Sequence, residues 1–432
     1  MATDRQRLVA WCFYDWGNSA FTTLVVTFIY STYFSQALAP TPAAGTVLWS
    51  RAMGTSALLI ALGSPILGAM ADRGSNRRRS LRIASLLCIA LTTALTFITP
   101  GQPQAVLLSL LLFVGANTAY EIAIVFYNAY LPELAPPGQS GRISGYGWGL
   151  GYVGGILCLL AALLLLVGNQ PLLPLPTTTG FHVRATNLLT ALWFLIFSLP
   201  FLLLAPAEPQ PQKSGSIAAA LADLKATFRA LRQFRQVTRF LLAHLIYNDG
   251  LVTIFAFGGI YAAGTFGMTI AEVVLFGIAL NIAAGLGAFL FGHLEDAIGG
   301  KRIILLTLAG LTIATLAAAM APDRFRFWLA GLTVGLFVGP NQSASRALMG
   351  RLTPPAHRAQ FFGFFTLSGK VTSFLGPVLL GTATAFFESQ RAGIATIVPF
   401  FLIGAILLFT VHETTRAPGP CPQNFCRRRL IF

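Results

Sequence analysis

Charge is what this chain has least of. Only 10% of its 432 residues are Asp, Glu, Lys or Arg, whereas an ordinary soluble domain carries about 25%, so the usual water-facing coat is excluded. Disorder is excluded from the other side, because 55% of the residues are hydrophobic. Acidic residues are scarcer than basic ones, 14 against 29, for a formal net charge of +15. The cysteines are Cys12, Cys88, Cys158, Cys421 and Cys426; an odd number, three of them in apolar stretches, argues against a disulfide framework. The histidines (His182, His244, His293, His357 and His412) are scattered singly, so no metal site is expected. Cys421 and Cys426 likewise have no His or Cys nearby to complete a zinc site. No G-x-x-x-x-G-K-[ST] occurs, no G-x-G-x-x-G follows a strand, and H-E-x-x-H and a nucleophile elbow are both missing. ATP bound by this chain, a resident cofactor and enzymatic catalysis are therefore not expected.

What the chain has in abundance is long apolar runs. A spanning helix needs about 20 mostly apolar residues, and such runs fall at 8–35, 46–70, 81–99, 105–129, 144–167 and 187–205, then at 240–262, 269–293, 303–321, 327–349, 362–386 and 393–411. The expected fold is an all-α membrane protein of twelve transmembrane helices in two six-helix bundles. The expected division is 1–206 for the first bundle, 207–238 for a linker, 239–412 for the second bundle and 413–432 for a basic tail. Within the linker, 217–234 has helical periodicity with a basic face, which suits either an interfacial helix or a solvated one. The first run contains Asp15 and no small-residue cleavage site, so it reads as a retained helix rather than a signal peptide.

Placing the basic residues on alternate loops puts 23 on one side and 4 on the other. The rich side takes Arg5, Arg7, the Arg73–Arg82 cluster, Arg142, the linker, Lys301, Arg302, Arg346, Arg351, Arg358 and the tail. By the positive-inside rule that side is cytoplasmic, and both termini with it. The net positive charge thus speaks of topology and of anionic lipid headgroups near the basic tail, not of nucleic acid.

The two halves carry matching punctuation. After the second run the chain reads GAMADRGSNRRR, and after the eighth GHLEDAIGGKR; Gly68 to Gly292 and Asp72 to Asp296 are both separated by 224 positions. Pro136-Pro137 with Gly145 and Gly151 repeats as Pro354-Pro355 with Gly363 and Gly369, 218 further on. Tyr14 and Gly17 repeat as Tyr247 and Gly250, at an offset of 233. Three ordered pairs near half the chain length indicate two parallel repeats related by an axis along the membrane normal, a transporter plan.

The first loop motif and its echo resemble the loop signature of the major facilitator superfamily, with Ser75 standing where the pattern usually has glycine. FYDWGNSAF at 13–21, FYNAYLPELAPPGQSGRISGYGWGLGYVGG at 126–155 and GPNQSASRALMGRLTPPAHRAQFFGFFTLSGK at 339–370 resemble its vacuole-effluxer-like, autophagy-related branch. The resemblance covers essentially all of 8–412. It implies efflux of small solutes by alternating access, with amino acids first, and conformational ties made by Gly68, Asp72, Arg73, Arg77, Gly292, Asp296, Lys301 and Arg302.

Ionisable residues within spans are costly and are functional candidates by default. Asp15, Glu121, Asp249 and Lys370 lie seven to nine residues from the expected cytoplasmic ends of their helices, a common depth of roughly 10–14 Å at 1.5 Å per residue. They suit a cavity for a small zwitterionic or charged solute. Tyr14, Trp16, Asn18, Tyr127, Asn128, Asn341 and Gln342 would supply hydrogen bonds, and the acids would offer sites for a coupling proton. Alternatively, Asp15 and Asp249 cap or pair locally, and Glu121 with Lys370 forms a structural ion pair. His244 is expected at the interface, Arg51 snorkelling near the outer face, and Glu272 in water. The leading expectation is a monomeric transporter of a small polar solute in a bacterial-type inner membrane. A lipid or lysolipid transporter, or a non-transporting sensor or docking subunit, is the alternative.

Overall fold

The computed structural model describes residues 3–74, 76–102, 104–168, 170–178, 180–206 and 234–413. The expected linker helix, apart from Phe234, and the basic tail beyond Glu413 lie outside the described residues.

Everything described is helix or turn, arranged as twelve spans. The first, α1, runs as Asp4–Ala20 and continues through π-helical turns at Phe21–Phe28 and Phe34–Leu38. It is followed by α2 (Pro42–Gly74), α3 (Arg77–Leu95), α4 (Ala105–Ala129), α5 (Ser140–Ala162) and α6 (Phe181–Leu204). The second half holds α7 (Arg235–Phe266), α8 (Ile270–Ile298), α9 (Gly300–Met320) and α10 (Arg324–Leu352). Its last two spans are interrupted: α11 is Arg358–Lys370 and Leu375–Phe386, and α12 is Gln390–Ala395 and Val398–Phe409. Helix α7 begins at Arg235, so the last four residues of the expected linker belong to it.

Local signals set the helix starts. Thr3 with Gln6, and Thr269 with Glu272, form capping boxes at the starts of α1 and α8, satisfying backbone N–H groups that have no partner within the helix. Asp323 caps α10 by accepting from Arg326 N. Gly299, at φ 92°, makes the turn from α8 into α9 in a conformation that a side chain would oppose.

Among the described residues, nine of the spans are long and apolar enough to cross a bilayer. The other three, α1, α3 and α10, carry the polar load: Asp15 in α1, four arginines from Arg77 to Arg82 in α3, and Asn341 through Arg346 in α10. A lipid-facing helix tolerates few such groups, and much of this set is buried inside the protein.

The chain folds into two six-helix halves, α1–α6 and α7–α12, that meet along two symmetry-related seams, α5 on α8 and α2 on α11. Small residues bring the backbones together there. A Cβ added to Gly145 of α5 would run into the Ala288 carbonyl of α8, and one on Gly363 of α11 into the Ser64 carbonyl of α2. Both seams lie toward the face bearing the α2–α3, α4–α5, α8–α9 and α10–α11 turns, called here the basic face.

Overpacking a close helix crossing costs about 1–3 kcal/mol. Gly145→Ala and Gly363→Ala should therefore lower the thermal unfolding temperature of the purified protein. Gly54→Ala and Gly381→Ala, where an added Cβ meets nothing within 4 Å, should leave it unchanged or raised, because alanine favours a helix over glycine by about 1 kcal/mol.

Candidate functional site

Between the halves lies a cavity of about 210 Å³. Helix α1 contributes Asp15, Asn18, Ser19, Thr22 and Thr23; α4 contributes Tyr120, Ile124 and Asn128; α5 contributes Trp148 and Tyr152. From the second half come Ile278 and Asn281 of α8 and Arg346 of α10. Polarity is graded along its depth. The end toward the basic face is ionic, and the other end is lined by Phe28, Ile156, Leu159 and Ile278. The π-helical stretch of α1 begins at this level, a common device for re-aiming side chains at functional sites.

The ionic floor is an ion pair that joins the halves. Arg346 Nη1 stands 2.9 Å from Asp15 Oδ2 and donates more weakly to Asn128 Oδ1 at 3.4 Å. Its Nε donates to Ser144 Oγ at 2.9 Å, and its Nη2 to the Ser144 carbonyl at 2.7 Å. The guanidinium carbon lies 4.9 Å from the Trp11 ring, 5.6 Å from Trp148 and 5.7 Å from Tyr127, within range of cation–π attraction. Room for the pair comes from Gly147, where an added Cβ would sit 2.7 Å from Asp15 Oδ2 and 2.8 Å from Arg346 Nη2.

Arg346 is a correction to the sequence reading, which counts it among the loop charges. Helix α10 continues to Leu352, so Arg346 lies about 9 Å inside it, and its side chain is 4% exposed. With a carboxylate and a serine from the other half in reach, it points inward instead of snorkelling.

The other expected residues divide between the cavity and its supports. Asn18 donates to Asp15 Oδ1 at 3.2 Å and accepts from the Tyr120 hydroxyl at 3.4 Å, while Asn128 reaches Arg346. Tyr14 and Tyr127 are fully buried outside the cavity and stacked 4.7 Å apart; the Tyr14 hydroxyl meets Ser85 Oγ, and that of Tyr127 donates to the Trp11 carbonyl. Gln342 accepts from the Tyr152 hydroxyl at 2.8 Å, whereas Asn341 donates to Thr307 within the second half. Trp16 packs on Trp193 and Phe197 of α6. Glu121 and Lys370 pair across the halves at 2.7 Å without lining the cavity. Asp249 is 1% exposed, lines no part of the cavity and has no ion-pair partner among the described residues. His244, expected at the interface, is instead buried against Ser368 Oγ at 2.7 Å, because α7 begins earlier than its apolar run. Arg51 is exposed, and exposed Glu272 caps α8 and meets Arg324.

Below the floor, the loop motifs make a symmetric pair of ties. Asp72, at the end of α2, accepts from the N–H groups of Ala359 (3.1 Å) and Gln360 (2.8 Å) at the start of α11. Asp296, at the end of α8, accepts from Gly141 N (2.8 Å) and from Arg142 Nε (2.6 Å) at the start of α5. Each carboxylate thus caps the N-terminus of a helix in the opposite half, where the helix dipole favours negative charge. Gly68 and Gly292 pack against the same two helix starts. Arg77 and Arg358 converge on Glu133, and Arg351 joins Glu295 to Ser140. Lys301 instead serves its own half, donating to the carbonyls of Phe409 and Val411. Arg73 follows Asp72 in α2, and Arg302 is exposed. Among the described residues, the hydrogen bonds and ion pairs between halves lie from this face up to the level of Tyr152–Gln342 and Glu121–Lys370. The molecule is closed on the basic face.

Comparison with known proteins gives the arrangement a context. The sequence profile of a family described as vacuole effluxer Atg22 like matches residues 45–417. The chain is 25% identical over 419 residues to the Bacillus subtilis protein named uncharacterized MFS-type transporter YxiO, covering 96% of this chain and 97% of that one. It is 26% identical over 297 residues to autophagy-related protein 22-1 of Neosartorya fischeri, covering 62% of this chain and 46% of the fungal protein. The chain therefore spans about half the length of that fungal relative. Among solved structures, the proton:xylose symporter XylE superposes with a TM-score of 0.74 at 14% identity, covering 95% of this chain and 96% of that one. FucP in its outward conformation gives 0.73 at 13% identity, covering 95% and 99%. These likenesses establish the major facilitator fold.

Removing one member of a buried ion pair costs about 3–5 kcal/mol, because the other charge is left uncompensated. Asp15→Asn and Arg346→Gln should each strongly lower the unfolding temperature. The double variant should lose less than the two single losses combined, a coupling that a double-mutant cycle on the purified protein reads directly.

Proposed function

This chain belongs to the Atg22-like vacuole effluxer family of the major facilitator superfamily, and on that premise we propose that it moves a small zwitterionic solute, an amino acid first, by alternating access. It is a multi-pass integral membrane transporter and not an enzyme. The observation that carries the amino-acid reading is the cavity floor, where a carboxylate and a guanidinium are presented side by side under an apolar upper wall. An α-amino acid offers the complementary pair. Its ammonium matches Asp15, Asn18 and Asn128; its carboxylate matches Arg346; its side chain faces Ile124, Ile156, Leu159 and Ile278.

The energetics favour exchange of partners over simple docking. Asp15 and Arg346 are already desolvated and bonded to each other, so an incoming zwitterion replaces one charge-assisted contact with two and adds no uncompensated charge. In doing so it loosens a contact that holds the halves together beside the cavity. The ties at Asp72 and Asp296 would then be what remains to keep the basic face shut, and their release would open it. A cavity of about 210 Å³ suits one small solute and leaves little room for the acyl chain of a lysolipid.

The distribution of basic residues supports a cytoplasmic basic face, in which case the present conformation is closed toward the cytoplasm. Family membership favours efflux as the physiological direction. Coupling to protons is supported by the fold's likeness to XylE and FucP, which are described as proton symporters.

The test is a thermal-stabilisation screen of the twenty amino acids on purified protein, followed by counterflow of the stabilising solutes in proteoliposomes. A ligand at about 100 times its Kd adds about 2.7 kcal/mol to the folded state. Arg346→Lys should weaken binding about tenfold or more, since a lysine cannot reproduce the guanidinium's fork of donors. N-acetylated and carboxamide derivatives should fail for want of one charge each. Full binding by either derivative, or by both Asp15→Asn and Arg346→Lys, would remove the zwitterion from the reading.

A further inference from the structure

At the level of the cavity, each intramembrane acid but one has its own cation. Asp15 is held by Arg346 and Glu121 by Lys370. Asp249 of α7 is the exception: it is 1% exposed and has no ion-pair partner among the described residues, while the backbone N–H of Gly376, in the second segment of α11, faces its carboxylate. We infer that Asp249 is the site that takes up and gives off the coupling proton, and that its charge governs how the second segment of α11 packs on α7. The inference rests on the proposed transport cycle but does not depend on the identity of the solute.

The packing around Asp249 carries this. Helix α11 is interrupted at 371–374, between Lys370 and Leu375. Residues of α7 beside Asp249 hold the interruption: Asn248 Nδ2 donates to the Gly369 carbonyl at 3.0 Å, and the Leu245 carbonyl accepts from Thr372 Oγ1 at 3.3 Å. The second segment then starts directly on the carboxylate, where a Cβ added to Gly376 would lie 3.2 Å from Asp249 Oδ1. The last residue before the break is Lys370, whose partner Glu121 belongs to the other half. A change of charge at Asp249 is therefore one helix interruption away from an ion pair that joins the halves.

Among the described residues, no neighbour supplies a compensating charge. On α7 itself, His244 is engaged by Ser368 and Tyr247 by Ser345. On α10, Arg346 is committed to Asp15, Asn128 and Ser144. On α11, Lys370 is committed to Glu121, and 375–386 holds nothing ionisable. Helix α12 has no ionisable residue from Ile394 to Val411, and α8 none from Val273 to Gly292; Arg391 donates to the Ala319 carbonyl at the outer end. A buried carboxylate with no cation beside it is more stable neutral than charged, even with one backbone N–H turned toward it. The conformation closed on the basic face therefore favours protonated Asp249, and the sign follows. Acid populates this conformation, and rising pH depopulates it as the carboxylate ionises and draws water or a cation under the second segment of α11.

The experiment needs no solute, so it stands or falls separately from the amino-acid screen. The full chain, with its five cysteines changed to alanine, is spin-labelled at Gln102→Cys and Pro322→Cys on the outer loops of the two halves. It is then placed in nanodiscs for pulsed distance measurement. Going from about pH 8 to about pH 5.5 should raise the outer-open population about threefold or more. Asp249→Asn should show the acid population at both pH values. Asp249→Glu, which keeps a titratable carboxyl, should restore the response. A parent protein that ignores pH, a response that follows sodium concentration instead, or an Asp249→Asn variant that still responds like the parent would each overturn the inference.

Discussion

A charge inside a bilayer needs a partner, and the architecture of this protein follows from where the partners are. Asp15 sits on the first helix of one half and Arg346 on the tenth helix, in the other. Neither could be buried alone without a large desolvation penalty. Joined, and backed by Ser144, Asn128 and three aromatic rings, they close the bottom of the cavity and commit α1, α4, α5 and α10 to one arrangement. The same pair makes the floor a barrier and, on the reading proposed above, a recognition surface as well, since whatever separates it must satisfy both ends.

Beneath the pair, the repeat in the chain becomes a repeat in the forces. Asp72 and Asp296 sit at equivalent ends of α2 and α8, and each caps a helix of the opposite half. Such contacts are strong for their size: a carboxylate accepting from N–H groups at a helix start combines charge-assisted hydrogen bonds with the dipole. Glycines along the α5–α8 and α2–α11 seams bring the backbones close enough for the carboxylates to reach. Closure of the basic face is thus distributed over two related seams, with the Asp15–Arg346 pair between them.

Much of this was legible in the sequence, and the failures have a common physical cause. Nine of the twelve spans follow from hydrophobic length, and Asp72 with Asp296 from their shared offset. Asp15, Glu121 and Lys370 stand out because charge in an apolar run is rare. What a linear reading lacks is helix rotation and the true helix end. Tyr14 and Tyr127 look like cavity donors, yet their faces turn into the first bundle, where Ser85 and the Trp11 carbonyl take their hydroxyls. The sequence places Arg346 with the loop charges, since a basic residue near a helix end ordinarily reaches for the headgroups. A signal against that lay in its setting, the run NQSASR, polar through a full turn and more of a helix that must be buried somewhere. Spans α1, α3 and α10 were the three whose polarity required protein around them.

The irregular helices complete the argument. The π turns of α1 lie toward the face opposite the basic one, and the breaks in α11 and α12 lie beyond the last ties between the halves. The ends packed through glycine and capped by carboxylates are unbroken helix on both sides of each seam, with Pro65 inside α2 at the Gly363 contact. A regular helix transmits displacement along its length, whereas an interrupted one absorbs it. Opening at the basic face would therefore move α5, α8 and the first segment of α11 largely as units, with Pro65 a point at which α2 can bend. Closure at the other face can be local, by bending α1 at its π turns and α11 at its break. The interruptions thus lie on the side away from the basic face, and the level at which helix regularity changes is that of Asp15, Arg346 and the cavity between them.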